Sequence, residues 1–203
     1  MWRQILPCLL LLLAAPAAAQ PVTEEVGPWR LSCVTDRMTD RAACTLRHTA
    51  WVERSAVGPG LALEIMERQG MLVPAVTARD LSFDSAMRGV LAVTGTAQLR
   101  FDDHPMLELP CGLEGRNLVC TPRRAEAARA AAELLAARRV LARMSGLGSQ
   151  TTAATEPAEL ALSRTQEATE ALRRRQPAGA APPPEPPGFD LWEWLGRLQR
   201  MMP

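Results

Sequence analysis

With 203 residues, a formal net charge of +1 and 47% hydrophobic residues, the chain has room for one domain of ordinary size with appended segments. The near-neutral balance excludes a global field that would draw it to nucleic acid or anionic lipid. Lys and Tyr are absent, so every basic side chain apart from the two His is an Arg.

The chain opens Met1-Trp2-Arg3-Gln4, runs apolar from Ile5 to Leu13, and reaches Ala17-Ala18-Ala19-Gln20. A basic start, a short apolar run and small residues before a polar one have the form of a secretory signal peptide. The run is shorter than the ~20 apolar residues that span a bilayer. Cys8 lies at the start of that run, where lipoprotein processing does not cut. Cleavage after Ala19 is expected, so residues 1–19 have no place in the fold. The expected location is the periplasm, with a surface-associated or secreted protein as the variant.

Without the leader four cysteines remain, Cys33, Cys44, Cys111 and Cys120. An even count in an exported chain reads as two disulfides. Sequence alone excludes none of the three connectivities. Sequential pairing is favoured because each pair spans a short polar segment suited to a hairpin. Loops this short contribute ~2.5–3 kcal/mol per bridge on the chain-entropy model.

Along the mature chain, residues 20–27 read as a polar lead-in, and Trp29 to Cys33 then alternates apolar and polar residues with the period of a half-buried strand. Asp36 to Asp40 reads as a turn, and Ala43 to Arg47 resumes a strand that Trp51-Val52 extends. After the breaker Gly58-Pro59-Gly60 come strands at Leu61–Ile65 and Met71–Val73, joined by a turn at Gln69-Gly70. Arg79 to Gly89 is irregular. Val90–Val93 and Ala97–Phe101 are expected to pair around Thr94-Gly95-Thr96, and two further strands lead into Cys111 and Cys120. Short strands at this spacing indicate an all-β sandwich or barrel.

Thr121-Pro122 then has the form of a helix start, and Ala125 to Ala137 is a strong helix by propensity. Arg138 to Met144 either extends that helix or begins a new strand. Gly146 to Thr155 is a loop, Glu159 to Leu162 is a short strand, and Ser163 is placed to cap a helix through Leu172. Residues 176–188 are dominated by Pro, Ala and Gly, the composition of an extended, semi-rigid linker.

Residues 189–203 form an amphipathic pattern. Charges fall at Asp190, Glu193, Arg197 and Arg200, while Leu191, Trp194, Leu195 and Leu198 take the other face, with Trp192 beside them. So short a helix is marginal alone in water and is expected to fold against something. Its candidate seats are its own domain, a groove on an envelope protein, or a membrane surface.

No nucleophile constellation is evident. His48 and His104 are the only histidines, and no Gly-x-Ser-x-Gly elbow accompanies them. His104 beside Asp102 and Asp103 reads as a solvated turn rather than a metal or acid–base cluster. There is no Cys-x-x-Cys for zinc or redox work and no Gly-rich phosphate loop. Arg123-Arg124, Arg138-Arg139 and Arg173 to Arg175 have acidic neighbours and read as solvated faces rather than a nucleic-acid site. No catalytic residue, metal or cofactor is assigned, and Trp29 is expected in the core near the first disulfide.

One pattern is larger than these motifs. Trp29-x-x-x-Cys33 is followed by Cys44 at a strand start, a β-rich middle, and Cys111 with Cys120 before an Ala/Leu-rich helix. Glu159 to Leu162 and a closing helix come after it. This order resembles the invasion-associated locus B family of proteobacterial envelope proteins over roughly residues 27–175. The chain departs from that family at Val119, where members usually have Gly, in Gly112-Leu113-Glu114-Gly115-Arg116, and in its Pro-rich tail. The resemblance implies a mainly β fold, an immunoglobulin-like β-sandwich with flanking helices. It also implies two sequential disulfides and a periplasmic or surface-associated role without catalysis. The resulting expectation is a non-catalytic protein that binds an envelope partner through its domain or its C-terminal helix. The alternative is an accessory protein at a membrane surface, with a hydrolase as a distant third.

Overall fold

The structure, a computed structural model, describes residues 22–54, 60–81, 95–145 and 156–176. The leader, the linker beyond Gln176, the tail carrying Trp192 and Trp194, and Val90–Val93 lie outside these residues. Ten strands and two helices are described, in the order β1 (Val22–Val26), β2 (Trp29–Thr35), β3 (Ala42–Glu53), β4 (Leu61–Arg68), β5 (Met71–Ala78), β6 (Thr96–Phe101), β7 (Leu107–Glu114) and β8 (Asn117–Cys120), then α1 (Ala127–Ala136), β9 (Arg139–Ser145), β10 (Ala158–Ala161) and α2 (Thr165–Arg175).

The strands form one sheet, β1-β2-β3-β4-β5-β8-β7-β6-β9-β10, antiparallel at every pairing. β7 is its joint. Leu107 to Pro110 pair with β6, and Cys111 to Glu114 pair with β8. Pro110 carries no N–H for a ladder and falls at this changeover, where a proline is tolerated. The fold is mainly β, as the period-2 pattern requires.

Local chemistry sets the hairpins. Gln69 and Gly70 both take positive φ, 53° and 81°, the form of a two-residue turn whose twist matches the flanking strands. At the β2–β3 turn, Asp36 accepts hydrogen bonds from the Met38 N–H at 2.8 Å and the Thr39 hydroxyl at 2.9 Å. The disulfides are Cys33–Cys44 and Cys111–Cys120. Each joins residues directly opposed across a strand pair.

One core serves the whole sheet. Trp29, Leu31, Leu46, Leu63 and Ile65 from one end share it with Leu99, Phe101, Leu107, Val140 and Leu160 from the other. Each such buried side chain contributes ~1.5–3 kcal/mol relative to exposure. β10 returns to β3, where the His48 Nε2 meets the Ala161 carbonyl at 2.9 Å. α1 buries Ala127, Ala130, Glu133 and Leu134, a helical stripe at i, i+3, i+6 and i+7.

Three expectations are corrected, and one choice left open is decided. Val22–Val26, expected in a polar lead-in, is β1 and pairs along β2. The first helix starts at Ala127, not at Pro122, because the Thr121 N–H still bonds the Pro110 carbonyl at 3.3 Å and holds that residue to the sheet. Arg139–Ser145 is strand rather than helix. The Asp102 carboxylate accepts the N–H groups of Arg138 and Arg139 at 3.1 Å each, turning the chain out of the helix. Ser163 does not cap α2. The N-cap is Arg164, left-handed at φ 58° without a side-chain cap bond, and its guanidinium holds Glu167 of the first turn at 2.6 and 2.7 Å. In addition, β6 has β7 and β9 as its neighbours, both later in the chain than the segment expected to pair with it.

Candidate binding site

Strand parity builds the site. Trp29, Leu31 and Cys33 point to the core, so Arg30 and Ser32 fall on the opposite face of β2. The same alternation places Thr45 and Arg47 of β3, and Glu64 of β4, on that face. The register then aligns Glu25, Arg30, Arg47 and Glu64 in one row across four strands.

Glu64 is 1% exposed. A buried carboxylate needs a partner, and Arg79, just past the end of β5, supplies one through Nε and Nη2. Burial opposes the Arg79 charge. The hydrogen bonds and field of Glu64 outweigh it, leaving the guanidinium pKa above its ordinary value. Asn117 of β8 fixes the turn beyond Arg79, its side-chain oxygen accepting the Asp80 N–H at 3.1 Å. Arg68 pairs with Glu114 at 2.5 Å, a second tie from the β4–β5 hairpin to the β7–β8 hairpin.

Between these groups lies a polar groove of about 390 Å³, lined by Ser32, Thr45, Arg47, Glu64, Arg79 and Asn117 among others. The Arg47 guanidinium carbon stands 4.7 Å from the Trp51 ring centroid, a cation–π contact. Trp51 is seated in turn on Gly60, where a Cβ would come within 2.7 Å of the ring. A second cleft of about 630 Å³ shares Thr45, Glu64, Arg79 and Asn117 and runs to Cys44, Leu72 and Gln176. There β3 and β4 part, with Leu46 and Ile65 as their last pair. The Cys44 N–H bonds the Gln176 side chain at 2.7 Å instead.

Comparison with protein-family models, curated proteins and solved structures finds no match. The chemistry of the groove therefore has to be read from its own residues. It offers guanidinium, hydroxyl and amide groups around the buried Glu64 carboxylate and the exposed Asp80 carboxylate, a set suited to recognising a polar or charged ligand.

Among the described residues singled out from sequence, Trp29, His48 and His104 lie elsewhere. Trp29 is fully buried. Its neighbours are His48, edge-on at 5.2 Å, and Thr165. His48 is buried at the β3–β10 junction; the hydrogen-bond network assigns Nδ1 as acceptor of the Ala50 N–H at 3.1 Å and Nε2 as donor to Ala161. His104 is exposed in the β6–β7 turn, 3.8 Å from Glu133, while Asp102 is held by backbone N–H groups. No cluster able to hold a metal occurs among the described residues. Within the basic clusters, Arg139 pairs with Glu159 and Arg175 with Glu24. Arg47, Glu64 and Arg79 were not legible as a site. The one local signal was Glu64 inside the apolar run Leu61 to Ile65.

Proposed function

We propose that this is a non-catalytic binding protein of the bacterial periplasm, of the invasion-associated locus B type, with an immunoglobulin-like β-sandwich domain. It binds a protein partner through the groove on the second face of its sheet. The observation that carries the reading is the buried Glu64–Arg79 pair beside Arg47. A solvated outer face has no need of a buried carboxylate, whereas a recognition surface gains orientation and selectivity from fixed charges.

Two disulfides suit an oxidising, exported compartment, and among the described residues no helix is long and apolar enough to cross a membrane. The only buried histidine has both ring nitrogens engaged with backbone groups, which favours binding over hydrolysis. The tail with Leu191, Trp192, Trp194, Leu195 and Leu198 is proposed as a second, tethered docking element. Gln176, the last described residue before it, lines the second cleft.

A photo-crosslinking residue at Ser32 tests the reading in cells. It should capture one defined protein, whereas the same probe at Glu108, exposed on β7, should not. Equal capture from both sites, or none from Ser32, would reject the groove as the partner site.

A further inference from the structure

The row Glu25–Arg30–Arg47–Glu64 carries a charge imbalance. Arg30 is neutralised by Glu25 at 2.8 Å. Glu64 engages Arg79. Arg47 therefore stands between a second guanidinium and a carboxylate that already has a partner, and among the described residues no carboxylate contacts it. Like charges directly opposed across a strand pair are unfavourable, so Arg30 opposite Arg47 creates a place where an anion is stabilising. The Arg47 guanidinium carbon lies over the Trp51 ring, and the guanidinium N–H groups suit a planar acceptor. The hydroxyls of Ser32 and Thr45, the next outward pair in the register, add donors on the same side.

The shape of the surface favours a chain over a small free anion. The groove continues through Thr45 and Glu64 into the cleft where β3 and β4 have separated. The parted strands leave a trough there in which Gln176 takes the Cys44 N–H, and an extended segment lying along a strand edge is a recurrent mode of peptide recognition. We propose that Arg47 seats the carboxylate of an acidic side chain carried by an extended partner segment, whose backbone follows the trough between β3 and β4, with Arg30 remaining on Glu25 beside it. This rests on the reading of the groove as the partner site and adds the chemistry it selects.

The test observes the arginine Nε–H signals of the purified, disulfide-bonded protein by NMR during titration with two peptides. One is acetyl-Gly-Gly-Glu-Gly-Gly-amide and the other is its Gln counterpart. A saturable shift of the Arg47 signal is expected with the Glu peptide. It should weaken as salt rises, and the Gln peptide should bind about tenfold less tightly. Arg47→Gln should abolish the Glu preference. If that variant does not fold, the comparison of the two peptides on the unaltered protein decides the matter. Equal binding of both peptides, or no saturable shift, overturns the carboxylate seat. Free acetate binding as tightly as the Glu peptide overturns the extended segment. Capture of a partner from Ser32 without any Glu preference would leave the partner site standing and reject only the seat.

Discussion

Trp29 donates its indole N–H to the Thr165 hydroxyl at 3.1 Å, a buried bond between residues 136 apart in sequence. Thr165 passes the bond on to the Leu162 carbonyl at 2.7 Å. The start of β2 and the first turn of α2 are thereby locked together over the closed core. Thr165→Val should cost about 1–3 kcal/mol by leaving the indole N–H and the Leu162 carbonyl without partners. Trp29→Ala should cost about 3–5 kcal/mol. Urea unfolding measures both, and a Thr165→Val protein as stable as the parent would show that the bond is dispensable.

Arg79→Ala leaves the Glu64 carboxylate buried without its partner. The expected loss is on the order of 2–3 kcal/mol, below the full cost of breaking a buried pair because the Arg79 side chain is 39% exposed. Adding Glu64→Leu to it should restore most of that stability, since an apolar substitute removes the stranded charge. Thermal unfolding of the two variants distinguishes this from a simple loss of packing, for which the double variant would be worse.

Gly60→Ala places a methyl group 2.7 Å from the Trp51 ring and 2.8 Å from the Glu53 carbonyl oxygen. The backbone oxygen has little freedom to move, so the ring must shift, at about 1–3 kcal/mol. The Arg47 stack should loosen with it. The Arg47 Nε–H signal reports this directly, and an unchanged signal would mean that Trp51 does not hold the guanidinium.

The Asp36 carboxyl lies below the usual carboxylate range, held there first by the Met38 N–H and then by the Thr39 hydroxyl. The Glu167 carboxyl is lowered in the same way by Arg164. Because the folded values are depressed, both contributions are fully present above the unfolded-state pKa. They fade as pH falls through the folded one. Carbon-detected NMR titration should give midpoints below those of the acid-unfolded chain, and coincident midpoints would remove these contacts from the account of acid stability.

Reduction should cost about 2.5–3 kcal/mol per disulfide. Peptide mapping without reductant should recover Cys33 with Cys44 and Cys111 with Cys120, and any crossed pair would contradict the register of β2–β3 and β7–β8.

Much of this chain is legible from local pattern. Alternation along Trp29 to Cys33 shows which side chains enter the core, because a strand sends successive residues to opposite faces. Gln69-Gly70 announces its turn through the positive φ that glycine accepts without strain. The short separation within each cysteine pair favours bridges across hairpins.

Other features depend on groups that meet only after folding. Whether Arg138 to Met144 continues a helix or becomes β9 turns on Asp102, a capping carboxylate from a distant turn. Thr165 rather than Ser163 carries the key hydroxyl at the start of α2 because Trp29 meets it there. Glu64 and Arg47 look like ordinary solvated residues of two strands until the register opposes them and Arg79 arrives from beyond β5. Period and turn chemistry act over a few residues, so the sequence alone determined strands such as β2, β4 and β5, the Gln69-Gly70 turn and the favoured bridges. Strand neighbours and converging charges are set by which edges and side chains find one another across the core, and that the tertiary structure alone decided.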